Sequence, residues 1–233
     1  MYDDEKHLNE IIDFYTAVGI KGMEEMTEID NRLDWEIPLL TGVFAQRTKL
    51  LDIGCGQGRI ALKLAGLGYN IFGIDIVREF IDYNNLIVKQ NGYNAEFYCD
   101  NFFNIDKYDI IFDGAYCMWG TIRYILKQDE QVAFFKKIFN HLKSSGKLLV
   151  DTIDEDNCAM APNIDNEFQY REKVSIDNRE LIRVYHKKYG LSTISCSFNE
   201  KLLKEVFYKA GFKNIERKVI AKEKSRLVIT GEK

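Results

Sequence analysis

The chain has 233 residues and a mass of 27.2 kDa, the size of one large domain or of one domain carrying an insertion. Lys plus Arg number 32 against 36 for Asp plus Glu, so the net charge is −4 and the pI about 5.6, which excludes a general binder of polyanions. Hydrophobic residues at 46%, aromatics at 13% and only two prolines exclude a disordered or proline-rich chain and leave enough apolar material for a real core. The five cysteines (Cys55, Cys99, Cys117, Cys158, Cys196) form no C-x-x-C pair, so neither a disulfide framework nor a zinc knuckle is expected. MYDDEKHLNE lacks the apolar stretch of a signal peptide, and no apolar run approaches the roughly 20 residues that span a bilayer. A cytoplasmic protein is expected.

Residues 3–18 place Leu8, Ile11, Ile12, Tyr15 and Val18 at helical spacing, and a second helical stretch runs to about Phe44, broken near Pro38. From residue 49 short apolar runs alternate with amphipathic helices. Strands are expected at 49–54, 70–75, 95–100, 108–113 and 145–152, and helices at 57–67, 77–91 and 129–142. That alternation implies a parallel sheet with helices on both faces. Residues 154–198 break the rhythm. FQYREKVSI and RELIRVYHKKY alternate and are joined through Asp177-Asn178, a turn signal, so an antiparallel pair is expected. A helix over Asn199–Ala210, stopped by Gly211, precedes two closing strands, NIERKVIA and SRLVITGEK.

The chemistry is concentrated in LLDIGCGQGRIALKLAGLGYNIFGIDI, residues 50–76. Asp52, Gly54, Gly56 and Gly58 make a D-x-G-x-G-x-G loop between the first strand and the first helix. Glycines there let the backbone turn sharply and approach a ligand without a Cβ in the way. Asp75 ends the second strand, where a carboxylate can accept hydrogen bonds from a vicinal ribose diol. A nucleoside cofactor at the carboxyl edge of the sheet follows. Position 59 is Arg, so the G-x-G-x-x-G dinucleotide fingerprint is absent, and no Gly-Lys-Ser/Thr of a P-loop follows.

On DIGCGQG, GIDI, CDNFF, YDIIFDGAYCMWG, GKLLVDT, AGF and RLVITGEK the sequence resembles the class I S-adenosylmethionine-dependent methyltransferases, strongly over about 48–152 and moderately over 198–233. The resemblance implies an α/β, Rossmann-like, doubly wound seven-stranded sheet, mostly parallel with the last strand antiparallel. It divides the chain into an N-terminal helical lid (1–47), a cofactor-binding core (48–152), a small antiparallel β insertion over the acceptor (153–198) and a C-terminal helix with strands (199–233). It also implies S-adenosylmethionine as cofactor. Gly54, Cys55, Gly56 and Gly58 would pass under the amino acid and ribose, with Asp52 fixing the loop or the methionyl ammonium. Asp75 would bind the ribose, Ile76 would flank the adenine, Asp100 would accept from the adenine amino group, and Asn101 and Phe102 would border the ring. Gly114–Cys117, with Ala115 among them, would line the methyl end. A core aromatic remains an alternative for Phe102, and a strand-end cap for Asp100.

No N-P-P-Y-like tetrapeptide follows the fourth strand and no Pro-Cys is present, which with the acidic balance points away from nucleic-acid acceptors and toward a small molecule. No metal is expected, Asp151 and Asp177-Asn178 being explained equally well by strand-end and turn chemistry. Tyr15, Trp119, Arg123 and Tyr124 are the candidate acceptor contacts, with Trp35 a further candidate from the lid. Arg123 could fork onto a carboxylate or phosphate, or form a surface ion pair. The three histidines are His7, read as exposed, His141, read as structural, and His186, which shares an alternation face with Ile182 and Val184. His186 and Tyr116 are the candidate bases, and an anionic acceptor would need none. The length, N-terminal helices and β insertion resemble bacterial sugar and metabolite methyltransferases, some of which modify capsule polysaccharide. The expectation leans to O-methylation of an anionic or sugar-derived metabolite, with N-methylation of a nucleotide-linked aminosugar or other small amine as the alternative. A nucleic-acid or protein methyltransferase and a noncatalytic cofactor-binding regulator stand as readings of another class.

Overall fold

A computed structural model describes residues 4–28, 32–156, 169–176, 179–221 and 223–233. Two helices open the chain, α1 (Asp4–Glu28) and α2 (Leu33–Val43). Strands β1 (Lys49–Ile53), β2 (Asn70–Asp75), β3 (Ala95–Cys99), β4 (Phe112–Cys117) and β5 (Leu142–Ile153) alternate with α3 (Ala61–Gly66), α4 (Arg78–Asn91) and α5 (Gln128–Asn140). Then come β6 (Gln169–Ile176), β7 (Arg179–His186), β8 (Leu191–Ser195), α6 (Glu200–Ala210), β9 (Lys213–Lys218) and β10 (Arg226–Glu232). The main sheet has seven strands in the order β3-β2-β1-β4-β5-β10-β9. The pairs from β3 through β5 are parallel, and β10 runs antiparallel to both β5 and β9. The doubly wound, mostly parallel sheet with an antiparallel last strand is the architecture expected.

Period-2 alternation decides which side of the sheet each apolar residue serves. Leu51, Ile53, Phe72, Ala115, Cys117, Leu148 and Val150 pack with Phe134, Phe135 and Ile138 of α5 and with Leu203 and Phe207 of α6. Their neighbours Leu50, Ile71, Tyr116, Leu149 and Val228 pack with Ala61 and Leu64 of α3 and with Leu40 of α2. Sequential βα units fold their helices back on alternate faces, and the order reverses between β1 and β4, opening a crevice at the carboxyl ends of those strands.

Several boundaries differ from the expected ones. The fourth strand runs over Phe112–Cys117 rather than 108–113. Phe102–Tyr108 coils into a 3₁₀ turn, Asp109 ends it at φ 48°, and Ile111 stays exposed, so residues 108–111 are the approach and Phe112–Cys117 the strand. The insertion has a third strand, β8, antiparallel to β7 across a turn at Gly190, giving a three-stranded sheet. The expected turn at Asp177-Asn178 lies outside the described residues. Helix α1 continues past Val18 but is broken at Gly19, where φ is 63° and ψ 179°. Asn199 caps α6 by accepting from Leu202 N at 2.9 Å, and Gly211 stops it at φ 105°. Among the described residues no helix is long and apolar enough to cross a membrane.

Candidate active site

The loop between β1 and α3 is bound to the end of β2. Gly54 N donates to Ile74 O at 2.9 Å, and Gly56 N donates to Asp75 Oδ2 at 2.8 Å. Asp75 Oδ1 accepts from Val77 N at 3.0 Å. Burial raises the Asp75 carboxyl above its ordinary value, against the pull of the Val77 and Gly56 amides. With four lone-pair sites, the carboxylate keeps acceptor capacity for a ligand beyond its bonds to the backbone. From α4, the wholly buried Asn84 donates to Gly56 O at 2.8 Å and clamps the loop from below. Two glycines are required by position. A Cβ on Gly58 (φ 74°) would meet Asn84 Oδ1 at 2.4 Å, whereas a Cβ on Gly56 (φ 52°) would enter open space.

That open space belongs to a cavity of about 610 Å³, within the range of small-molecule sites. Gly54, Gly56, Asp75, Ile76, Asp100, Asn101 and Phe102 line it. Tyr15, Trp119 and Tyr124 line it too, together with His7, Met118, Thr121, Leu126 and Phe134. The cofactor expected from the resemblance fits these residues, since the loop leaves a cradle that a side chain at position 56 would fill, beside a carboxylate with spare acceptor capacity.

Other expected site residues are placed differently. Asp52, Cys55, Gly58 and Ala115 do not line the cavity; they are buried in or under the loop and sheet. Burial pushes the Asp52 carboxyl up to about 8, against the effect of the Tyr116 hydroxyl. Tyr116 is not available as a base. It is wholly buried on the face of β4 that packs toward Phe44, and its hydroxyl lies beside Asp52 without completing a hydrogen bond of ordinary geometry. Asp100 does line the cavity, but its Oδ1 accepts from Asn101 N and Asn104 Nδ2, both at 2.8 Å, and its Oδ2 from Tyr108 Oη at 3.0 Å and from Lys107. Burial pushes that carboxyl up, and those partners together hold it below its ordinary value. Asp100 is therefore first an anchor for the 3₁₀ turn, as the strand-end alternative foresaw. Asn101 accepts from Phe103 N at 3.0 Å, and Phe102 packs edge-on against Phe134 while bordering the cavity.

Arg123 is turned away from the lining. Its Nε donates to Cys196 O at 3.0 Å while its own carbonyl accepts from Cys196 N at 2.8 Å, tying the 3₁₀ turn Thr121–Tyr124 to the insertion. His186 does not reach the cavity either; it stacks on Phe14 with ring centroids 3.7 Å apart and shares a hydrogen bond with Thr193 Oγ1 at 3.1 Å. Burial, then Arg171, lower it to about 4. Trp35 joins the apolar cluster around α2. His7, expected to be exposed, is buried, and its Nε2 donates to Tyr124 O at 2.9 Å. The sequence carried a signal for Asn84, a polar residue on the apolar face of α4 with Phe80 and Ile81, that the motif reading passed over. No group of three or more His, Cys, Asp or Glu among the described residues could hold a metal ion.

Comparison with known proteins adds the family. A family model described as a methyltransferase domain matches residues 45–211. A ubiquinone biosynthesis O-methyltransferase of Rickettsia felis is 28% identical over 126 residues, covering 53% of this chain and 49% of that protein. The chain spans 36% to 52% of the length of the curated relatives it matches. The 1,6-didemethyltoxoflavin-N1-methyltransferase of Burkholderia thailandensis, solved with its substrate and S-adenosylhomocysteine, superposes with a TM-score of 0.72 at 15% identity over 100% of this chain and 91% of that one. The sugar N-methyltransferase KedS8 of Streptoalloteichus superposes with a TM-score of 0.66 at 14% identity, covering 86% and 85%. With the family model matched over most of the core, and the same Rossmann-like class I fold, the chain belongs to the methyltransferase-domain family.

Proposed function

We propose that this chain transfers a methyl group from S-adenosylmethionine to a small-molecule acceptor. The observation that carries this reading is the glycine loop bound to Asp75 at the mouth of the cavity, with position 56 left open toward it. When bound, the cofactor supplies an electrophilic methyl on a sulfonium. Asp75 would hold the ribose, Ile76 and Phe102 would border the adenine, and the Gly54–Gly56 backbone would pass beneath the amino acid portion. Phe80, Phe102 and Phe134 would give the crevice apolar walls, and the transfer would depend chiefly on positioning.

The acceptor would sit between Tyr15, Trp119 and Tyr124. The expectation of an anionic acceptor rested on Arg123 and on the scarcity of candidate bases; the Nε of Arg123 is engaged with Cys196 and its side chain is not in the cavity lining. The cavity lining carries Asp4, Glu5 and Glu130, of which Asp4 and Glu130 pair with Lys127, and, among the described residues, no Lys or Arg side chain. An uncharged or amine acceptor therefore suits this cavity better than a phosphate or carboxylate. Its nucleophile is an N–H or O–H; relatives named above include both O- and N-methyltransferases.

Calorimetry with S-adenosylhomocysteine tests the cofactor site directly, with one-to-one binding expected. S-adenosylhomocysteine release during incubation of S-adenosylmethionine with matched amines, alcohols and phosphates then ranks acceptors. Absence of binding heat overturns the reading, and turnover confined to phosphates overturns the acceptor class.

A further inference from the structure

We propose that the buried Asp151–Arg226 pair holds Trp119 as the wall against which the methyl acceptor is aligned; the proposal rests on the methyl-transfer reading above. Trp119, in the turn after β4, lines the cavity and has φ 61°, in the left-handed region that a bulky side chain rarely adopts. Gly120 follows at φ 84°. One residue near the end of β5 takes both amides of this left-handed pair. Trp119 N donates to Asp151 Oδ2 at 2.9 Å, and Gly120 N donates to Asp151 O at 3.0 Å. Arg226 of β10 fixes the same carboxylate as a fork, Nε donating to Oδ1 at 2.8 Å and Nη2 to Oδ2. Both Asp151 and Arg226 are buried.

The sheet does not need this pair. β10 and β5 are already joined by an antiparallel ladder, from Arg226 opposite Ile153 to Glu232 opposite Lys147. A buried ion pair is often no more stabilising than apolar side chains of similar volume. What an apolar pair cannot do is accept the amide proton of residue 119. A glycine there would adopt the same φ without strain, as Gly120 does one residue later. The chain carries an indole instead, and such strain persists only where the surroundings enforce it.

The ring is held as firmly as its backbone. The guanidiniums of Arg32 and Arg59 lie 5.4 and 5.8 Å from the ring centroid, and the ring packs against the cluster that contains Phe14, Met23 and Phe80. The turn also rests on the cofactor loop, since a Cβ on Gly54 would lie 2.5 Å from Thr121 Oγ1. The position of the indole is thereby set relative to the loop that would carry the methyl donor. Methyl transfer is an in-line displacement, so the acceptor lone pair must lie on the axis of the breaking S–C bond, and a small misplacement costs rate. Asp151 and Arg226 do not line the cavity. They act through Trp119 and are positioning residues.

The test uses the full chain labelled with 5-fluorotryptophan, whose two ¹⁹F resonances are assigned with Trp35→Phe. Two variants disturb the fork. Arg226→Lys keeps the charge and loses the bidentate contact, while the double variant Asp151→Leu with Arg226→Met replaces the ion pair by apolar side chains and should stay folded. In both, the Trp119 resonance should move or split and that of Trp35 should not. In the S-adenosylhomocysteine complex, benzylamine, benzyl alcohol and catechol are then titrated against the Trp119 resonance. The native chain should respond to at least one of them. Its apparent Kd should rise at least fivefold in Arg226→Lys and tenfold in the double variant, with the Kd for S-adenosylhomocysteine within twofold. A folded double variant with native Trp119 resonance or native probe affinity overturns the proposal. Equal weakening of probe and S-adenosylhomocysteine overturns it too, by showing a merely structural role, as does a native Trp119 resonance that ignores all three probes. Where the double variant does not fold, Arg226→Lys decides by the same criteria. Failure of the native chain to bind S-adenosylhomocysteine in calorimetry overturns the methyl-transfer reading instead and is seen first.

Discussion

Asp75 Oδ2 accepts the amide of Gly56 at 2.8 Å, so the carboxylate that ends β2 and the glycine loop that follows β1 form one unit. The carboxylate both sets the loop and offers its remaining lone pairs to the cavity. Asp75→Ala should weaken S-adenosylhomocysteine binding by about 1.5–3 kcal/mol, roughly 10- to 150-fold in Kd, the usual worth of hydrogen bonds to a charged group. Titration calorimetry checks this, and an unchanged Kd would remove Asp75 from the site.

Gly56 and Gly58 should separate binding from stability. Gly58→Ala places a Cβ against Asn84 at a left-handed backbone position, and about 1–3 kcal/mol of stability should be lost. Gly56→Ala carries the same left-handed backbone cost but meets no protein atom, so it should lose less stability than Gly58→Ala while its Cβ projects into the cradle and lowers cofactor affinity. Denaturant unfolding and calorimetry on the same two proteins distinguish them.

Glu36 on α2 is wholly buried and accepts both terminal nitrogens of Arg59, with Nη2 to Oε1 at 2.8 Å. Arg59 in turn lies 5.8 Å from the Trp119 ring centroid, so the pair links α2 to a residue of the cavity lining. Glu36→Ala should cost about 3–5 kcal/mol, because an uncompensated buried guanidinium remains. The double variant Glu36→Met with Arg59→Met should recover most of that loss in urea unfolding. Equal loss in the single and double variants would show that packing, not charge, dominates.

Asp52 predicts a pH dependence. Its folded-state carboxyl is pushed up to about 8 by burial, while an unfolded Asp ionises near 3.9. Between those values the folded chain holds the extra proton, so this residue's contribution to stability falls as pH rises from about 4 to about 8. Asp52→Asn should raise Tm at pH 8 more than at pH 5. Equal shifts at both pH values would contradict a neutral buried carboxyl.

The sheet and the cofactor end of the site were legible because their determinants are local. Alternating apolar runs set the strands, and the spacing of Asp52, Gly54, Gly56 and Gly58 before Asp75 marks a backbone that must turn tightly beside an acid. Boundary errors arose where a local pattern had two readings. The apolar YDIIF run looks like a strand, and only the 3₁₀ turn anchored by Asp100 and Asp109 shows that the strand begins at Phe112. β8 was missed because LSTIS carries little alternation and is defined by its pairing with β7.

Length and composition determined by themselves that this chain can pack a core, the alternation of apolar runs with amphipathic helices that it is α/β, and the glycine motif pointed to where a nucleoside could bind. The acceptor end was decided only by tertiary structure. Arg123 was expected to meet an anion, but a guanidinium takes the nearest fixed acceptor, and the fold supplies the carbonyl of Cys196, 73 residues away in the chain. His186 was expected to face the pocket from its alternation, yet a period-2 pattern fixes a face and not a neighbour. The packing of α1 on the insertion puts Phe14 against that face and leaves the imidazole bonded to Thr193 outside the cavity lining. Contacts between distant segments leave no mark on sequence spacing, and they are what gives the acceptor end its chemistry.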